Sequence, residues 1–305
     1  MRQVMHDRFG GPEVLELRET DAPRAGRGEV RIRVEAASLN PVDWKIVAGG
    51  PAATSRGLQP PLGVGNDIAG TIDEVGEGVE GWAVGDRVFG SARTRALQDW
   101  TVVDPAEERL ARIPDGLDVG VAASLVVAGR TAWDGVASLV QRGGETIFIN
   151  GAAGGVGQLA VQLAERRGAR VIGSASERNF DLLRTLGAEP VAYGEGLAER
   201  LEAMLPIDAC FDCAGAGGVA AALEVGVPLE RCIAIAAKGA HGARGVATDL
   251  GQTGALDELA ALAASGELTV RIERRFPLES FREAYELLMT GHVPGKLVID
   301  LTESA

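Results

Sequence analysis

Apolar and polar positions follow two different rhythms along the chain. From Arg2 to about Asp104 they alternate over short runs broken by glycine and proline. Glu29-Val30-Arg31-Ile32-Arg33-Val34-Glu35-Ala36 alternates almost without fault, and 70–76 and 86–89 repeat the theme. A period of two places every second side chain on the same face, so these runs predict strands with one wet face. Many short strands with frequent turns predict a small barrel or sandwich.

The character changes near Pro114-Asp115-Gly116-Leu117, beyond which the sequence is rich in alanine and helix-like. Strands are then expected at 146–150, 169–174, 189–192, 207–212, 230–236 and 268–272. Helices fall between them at 156–167, 177–186, 195–204, 217–226 and 255–265. This βαβ rhythm predicts a doubly wound parallel sheet. An amphipathic helix at 278–288 and a last strand at 296–301 follow. Ending on a strand predicts that the chain returns to its first sheet.

The candidate chemistry centres on 146–168. The apolar run Thr146-Ile147-Phe148-Ile149-Asn150 breaks into small residues, then Val156, Leu159, Ala160 and Leu163 recur at helical spacing. Gly151, Gly154 and Gly157 fall three apart, and Ala152-x-Gly154-x-x-Gly157 overlays a dinucleotide fingerprint with alanine at its first position. Together with Gly155 and Val156 they predict bare backbone that lets a pyrophosphate reach free N–H groups at a helix N-terminus. Glycine supplies 42 of 305 residues, so such spacing carries weight only because a second strand, 170–176, follows at βαβ distance.

That strand also bears on the coenzyme. A site for NAD usually holds an acidic residue about 20 residues past the glycines, to bind the ribose 2′-hydroxyl. Here that place is Ser174, with Ser176 and Arg178 close by and Glu177 too late. Serines and a guanidinium suit a 2′-phosphate, so NADP(H) is the expected cofactor. Arg178 taken alone reads equally as a solvated residue of a helical first turn.

Composition narrows the partners. A net charge of −13 and a pI near 4.8 exclude nucleic acid or anionic membrane as a general partner. No signal peptide and no apolar stretch of spanning length is visible, so a cytoplasmic location is expected. Cys210, Cys213 and Cys232 are too few for a disulfide framework and read as buried structural thiols, the Cys210-x-x-Cys213 spacing notwithstanding.

Several stretches jointly resemble the medium-chain dehydrogenase/reductase superfamily, and within it the zinc-independent, zeta-crystallin-like quinone oxidoreductases. They are Phe9-Gly10-Gly11-Pro12-Glu13-Val14-Leu15, Ser38-Leu39-Asn40-Pro41-Val42-Asp43-Trp44-Lys45, Gly65-Asn66-Asp67-Ile68-Ala69-Gly70, Val84-Gly85-Asp86-Arg87-Val88-Phe89-Gly90, Ala128-Gly129-Arg130-Thr131-Ala132-Trp133 and the glycine turn. The resemblance implies an α/β chain in which a GroES-like β-barrel domain, 1–120 and 273–305, is split by a Rossmann domain, 121–272, with the active site in the cleft and a homodimer as the assembly. It implies that Asn40 and Asp43 lie near the nicotinamide, that Thr131 approaches its carboxamide, and that Tyr193 lies beside the adenosine phosphate. Ala236 and Lys296 are counted with the coenzyme-binding residues.

Zinc-dependent relatives hold the metal with cysteine and histidine near 39–45 and 66–67, where this chain has Leu39, Asn40, Asp43, Asn66 and Asp67, so no metal is expected. Without one, hydrogen-bond donors must polarise the substrate, which suits hydride delivery to a quinone or α,β-unsaturated carbonyl. Asn40 leads the candidates. Lys45, the only lysine of the first domain, is a candidate donor or a solvated surface residue, and Asp67 reads as a brace for its loop. Family members often carry a tyrosine after the Asp43 region. Here 47–51 has none, so no tyrosine donor from the first domain is expected. The stretch after Ile235 is shorter than in relatives, which bears on substrate size and the dimer contact. A nucleotide-binding sensor without turnover and an enoyl-thioester reductase are the alternatives.

Overall fold

A computed structural model describes residues 1–215, 217–236, 240–246 and 254–302. Backbone proximity divides the chain into two units: Met1–Val127 with Leu256–Glu267 and Ile272–Ala305, and Ala128–Ala255 with Leu268–Arg271.

The first unit is built on two sheets. Seven strands form the larger, in the order Ile272–Pro277, Lys296–Asp300, Val30–Leu39, Asp67–Val75, Arg87–Ser91 and Ala111–Arg112, with Trp100–Val103 also paired to Val30–Leu39. The alternating run predicted from sequence is its central strand, whose buried Val30, Ile32 and Val34 alternate with more exposed arginines and Glu35. The chain does return: Lys296–Asp300 pairs antiparallel with Val30–Leu39, Leu297 opposite Leu39. The smaller sheet joins Glu16–Glu19, Arg2–His6 and Leu62–Gly63. Val4, Ile32, Ile68, Ile72, Phe276 and Tyr285 share one apolar core, and a large aliphatic side chain contributes about 1.5–3 kcal/mol when removed from water.

The second unit is a five-stranded parallel sheet. Its order is Ala188–Ala192, Arg170–Ala175, Thr146–Asn150, Ala209–Asp212 and Cys232–Ala234. Helices cover both faces: Phe211 lies against Gly135 of the helix Arg130–Leu139, while Phe148, Ile172 and Cys210 pack with Leu197, Leu201 and Val219 of helices Leu197–Glu202 and Gly218–Glu224. The predicted doubly wound sheet is present, with its direction of winding reversed between Thr146–Asn150 and Ala209–Asp212, where such sheets bind ligands at the carboxyl ends.

One predicted strand moves. The 268–272 segment is not a sixth parallel strand; the strand is Ile272–Pro277 and it pairs with Lys296–Asp300 in the first unit. Its residues Glu273, Arg274 and Arg275 are exposed, and a strand covered on both faces has no place for them. Cys210 and Cys232 are buried as expected, opposite each other on neighbouring strands, whereas Cys213 is only half-buried. Among the described residues no helix is long and apolar enough to cross a membrane.

Candidate active site

In the second unit the chemistry collects at the carboxyl ends of the parallel strands. Asn150, the last residue of Thr146–Asn150, ties three of them together. Its Oδ1 accepts from Ser174 Oγ at 2.5 Å and its Nδ2 donates to Asp212 Oδ1 at 2.8 Å. Asp212 Oδ1 also receives the N–H groups of Ala214 at 3.0 Å and Gly215 at 2.7 Å. Gly151 then leaves the strand with φ +72°, its N–H on Ser174 Oγ at 3.0 Å.

This turn runs so close to the helix Gly157–Arg166 that a Cβ on Gly157 would lie 2.2 Å from Gly151 O. The N–H groups of Gly155, Val156 and Gly157 have no hydrogen-bond partner among the described residues. They stand at the positive end of a ten-residue helix, which is where an anionic bridge is held. The turn therefore fits a dinucleotide, whose pyrophosphate the Gly155, Val156 and Gly157 N–H groups would hold.

The other predicted coenzyme residues divide by what their side chains do. Ala152 is buried with its N–H on Ser174 O, and the Gly154 N–H closes the turn on Gly151 O at 3.0 Å. Ser174 is fully buried, and its hydroxyl is engaged with Asn150 and Gly151, so it braces the turn. Ser176 accepts from Asn179 Nδ2 at 3.1 Å. Arg178 is exposed and has no hydrogen bond or ion pair among the described residues. Tyr193 is 47% exposed past the end of Ala188–Ala192. Ala236 is exposed beyond Cys232–Ala234, and Thr131 is buried on Arg130–Leu139. Sequence reasoning missed Arg200, whose Nε donates to Ala192 O at 3.0 Å and holds the turn next to Tyr193. Its signal was the Gly194-x-Gly196 turn before a helix.

The first unit holds a buried polar cluster. Asn40 precedes the helix Pro41–Val47 in extended conformation with proline at the first helical position. Its N–H donates to Asp43 Oδ2 at 2.7 Å, half of a capping box. The Asn40 side chain turns the other way: Nδ2 donates to Asp67 Oδ2 at 2.8 Å and to Ser38 O at 3.3 Å, while Oδ1 accepts from Lys296 Nζ at 2.6 Å. Lys296 Nζ also reaches Leu39 O at 2.8 Å, and Asn66 Nδ2 donates to Asp43 Oδ1. Asn40, Asp43, Asp67 and Lys296 are each at most 3% exposed.

Four expectations change here. Both amide hydrogens of Asn40 are engaged, so its amide links Lys296 to Asp67 and has no hydrogen left for a substrate oxygen. Lys296 is a second lysine of this unit, buried among carboxylates, whereas Lys45 lies half-buried beside Trp44, 5.7 Å from its ring. A tyrosine does belong to this unit: Tyr285, on the helix Phe281–Met289, is fully buried, its hydroxyl without a partner among the described residues. Asp67 is more than a loop brace, because its Oδ1 is buried with no partner among the described residues.

Burial sets the charges. It pushes the Asp43 carboxyl up to about 6, against the pull of the Asn40 N–H, Asn66 and Lys296. It pushes Asp67 up to about 7, with Lys296 pulling down and Asp43 pushing further up. Lys296 is lowered by the same burial, opposed by the two carboxylates.

These residues do not fit zinc. They offer amides and two carboxyls without thiolate or imidazole, and an ammonium already stands against Asn40 Oδ1. Among the described residues no three histidine, cysteine, aspartate or glutamate side chains gather to hold a metal.

Comparison with known proteins agrees with both units. The family model for the alcohol dehydrogenase GroES-like domain matches residues 26–133, and that for zinc-binding dehydrogenase matches 186–299. The chain is 31% identical to a quinone oxidoreductase of Pseudomonas aeruginosa, over 98% of this chain and 99% of that one. It is 32% identical to the NADPH-dependent alkenal/one oxidoreductase of Arabidopsis thaliana, over 98% of this chain and 79% of that one. A match of 38% identity over 60% of the chain spans only 8% of a mycocerosic acid synthase-like polyketide synthase of Mycobacterium tuberculosis. The solved quinone oxidoreductase of Coxiella burnetii superposes with a TM-score of 0.89 at 31% identity, covering 99% of each chain. With a barrel-type unit built from both ends, a dinucleotide turn on a parallel sheet and full-length relatives, the chain belongs to the medium-chain dehydrogenase/reductase superfamily as a member of its quinone oxidoreductase family.

Proposed function

We propose that this oxidoreductase uses NADPH, without zinc, to deliver hydride to a quinone or an α,β-unsaturated carbonyl. The observation that carries the reading is the braced turn at 150–157, with three N–H groups unbonded among the described residues at a helix N-terminus. Preference for the 2′-phosphate rests on Arg178 and Ser176 near the end of Arg170–Ala175, where Ser174 replaces a ribose-binding carboxylate. The names of the Pseudomonas and Arabidopsis relatives support the substrate class.

When bound, the nicotinamide supplies the hydride. The chain's own part is to seat the pyrophosphate on Gly155, Val156 and Gly157, to orient the ring with Thr131, and to manage the proton the product needs. Of the candidate catalytic side chains of the first unit, Asn40 and Asp43 belong to the buried cluster and act through it, while half-buried Lys45 remains the candidate donor to the substrate oxygen. The same reading takes 1–120 with 273–305 as the catalytic domain, 121–272 as the nucleotide domain, and the working form as a cytoplasmic homodimer.

The test is steady-state turnover of a panel of quinones, enones and enoyl thioesters with NADPH and with NADH, before and after chelation. Faster turnover with NADPH on quinones or enones, unchanged by the chelator, is expected. NADPH binding without any turnover contradicts the reading and favours a sensor. The polyketide synthase match is the reason for including thioesters, and turnover confined to them would make the chain an enoyl reductase.

A further inference from the structure

We propose that Asp67 is the proton-holding group of this reaction, and that with Asn40, Asp43 and Lys296 it forms a buried cluster that retains one exchangeable proton and releases it to the reduced product. The inference rests on the reductase reading above and adds the source of the second hydrogen.

Charge balance makes the case first. The cluster contains two carboxyls and one ammonium, all nearly inaccessible to water. With both carboxyls ionised it would hold an uncompensated negative charge in a dry interior, a state that proteins avoid by keeping a proton. Among the described residues the other groups that face it supply no second cation: Ser38 lies across the sheet from Asp67, the Ser38 hydroxyl is 3.1 Å from that of Ser124, and Asn66 and Tyr285 are neutral.

Geometry then says which carboxyl holds it. Asp43 receives a donor on each oxygen, from the Asn40 N–H and from Asn66, an arrangement that stabilises the carboxylate. Asp67 receives both of its donors on Oδ2, from Asn40 Nδ2 at 2.8 Å and the Val127 N–H at 3.3 Å. Its Oδ1 has no donor among the described residues and is the oxygen that carries the hydrogen. Burial and Asp43 both raise Asp67, to about 7, in agreement with that placement.

The Val127 contact adds a second signal. Val127 belongs to a π-helical turn, Leu125–Gly129, and such turns recur at functional sites. It leads directly into the helix that carries Thr131.

The step balances. Hydride brings one hydrogen and both electrons to the β-carbon or quinone ring, leaving negative charge on the substrate oxygen. One proton leaves Asp67 Oδ1, passes through a hydroxyl or water, and neutralises that charge. Asp67 becomes a carboxylate beside Lys296, and solvent returns the proton before the next turnover. Because Asp67 is fully buried it acts through an intermediary, and it is a positioning residue that never touches substrate.

The experiment pairs ligand-free infrared spectra with kinetics. Wild-type protein should show, at pH 6, a carbonyl band of protonated carboxyl with a component that fades with a midpoint near 7 and is missing in Asp67→Asn. Asp67→Asn should bind NADPH within about threefold of wild type yet lose about 100-fold in kcat on an enone, with the wild-type limb near pH 7 gone, in the range ascribed to proton transfer by a positioned group. Asp67→Glu should restore part of the rate and a limb. No such band in the wild type at pH 6 overturns the proposal even if Asp67→Asn fails to fold. So does an Asp67→Asn enzyme with unchanged kcat and pH profile. Wild-type protein that binds NADPH and reduces nothing on the panel refutes the reductase reading and with it the donor role, whereas a missing band alongside normal turnover refutes the donor role alone.

Discussion

Gly154 and Gly157 stand three residues apart in one turn, yet a methyl group added to each meets a different obstacle. At Gly157 the new Cβ would fall 2.2 Å from Gly151 O and 2.7 Å from Ala152 Cα, so the contacts are with backbone that has no rotamer to yield. The helix would have to lift from the strand, and overpacking of this kind costs about 1–3 kcal/mol. At Gly154 the nearest atom is Gly151 O at 3.3 Å, a contact that a shift of a few tenths of an ångström relieves. Gly154→Ala should then leave stability within about 1 kcal/mol of wild type, since a compatible alanine also restricts the unfolded chain. Its methyl nevertheless enters the turn assigned to the pyrophosphate. Thermal unfolding and an NADPH fluorescence titration separate the two effects. Gly157→Ala should lower Tm by about 3–8 °C, in keeping with a few degrees per kcal/mol for a chain of this size. Gly154→Ala should keep Tm and raise the NADPH Kd at least tenfold, about 1.4 kcal/mol. An alanine at 154 that binds NADPH as wild type does, or one at 157 that leaves Tm unchanged, would refute the reasoning.

Other outcomes follow from the same structure. Arg178→Glu should cut kcat/KM for NADPH about 10- to 100-fold while leaving NADH nearly unchanged, because a charge-assisted hydrogen bond contributes about 1.5–3 kcal/mol; equal losses with both coenzymes would contradict the 2′-phosphate role. Lys296→Met leaves Asp43 and Asp67 buried without their cation and should destabilise the fold by about 3 kcal/mol or more, read from urea unfolding, and a change under 1 kcal/mol would count against the cluster. Asp67, raised to about 7 when folded and near 3.9 when unfolded, binds more protons in the native state between those values. Its contribution therefore falls as pH rises from about 4 to 7, by at most about 1.4 kcal/mol per pH unit. The stability difference between wild type and Asp67→Asn should consequently shift against the wild type from pH 5 to 7, and a flat difference would contradict the assignment. Asp118→Ala removes the cap on the Val121 N–H at 2.9 Å and a partner of Arg275, and should cost about 1 kcal/mol in the same urea assay.

What the sequence disclosed is what local chemistry determines. The glycine turn is legible because bare backbone at a strand-to-helix corner needs particular residues at particular places, and period-two alternation marked the strand Val30–Leu39. Lys296 was legible as the start of a returning strand, but its ammonium meets Asn40 only through pairing with a strand more than 250 residues earlier, and no local pattern carries that. Ser174 shows the reverse failure. Its position matched the coenzyme-selecting place, yet the hydroxyl faces Asn150 because the strand end must be tied to its neighbours. The segment at 268–272 misled because a short apolar stretch beside a helix continues the βαβ rhythm, while the charges of Glu273, Arg274 and Arg275 send the strand itself to a wetter sheet. Tyr285 was set aside because the family's usual tyrosine lies elsewhere in the chain.

Transfer of isotope tests the central claim most directly. NADPH carrying deuterium at the transferring C4 position is mixed with the protein and a simple enone, and the product is examined by mass spectrometry and NMR. The account predicts deuterium on the β-carbon, a solvent-derived hydrogen on the α-carbon, and markedly slower transfer by Gly154→Ala at coenzyme concentrations near the wild-type Kd. An oxidised coenzyme whose deuterium is absent from the β-carbon, or an enone left unreduced, would contradict it.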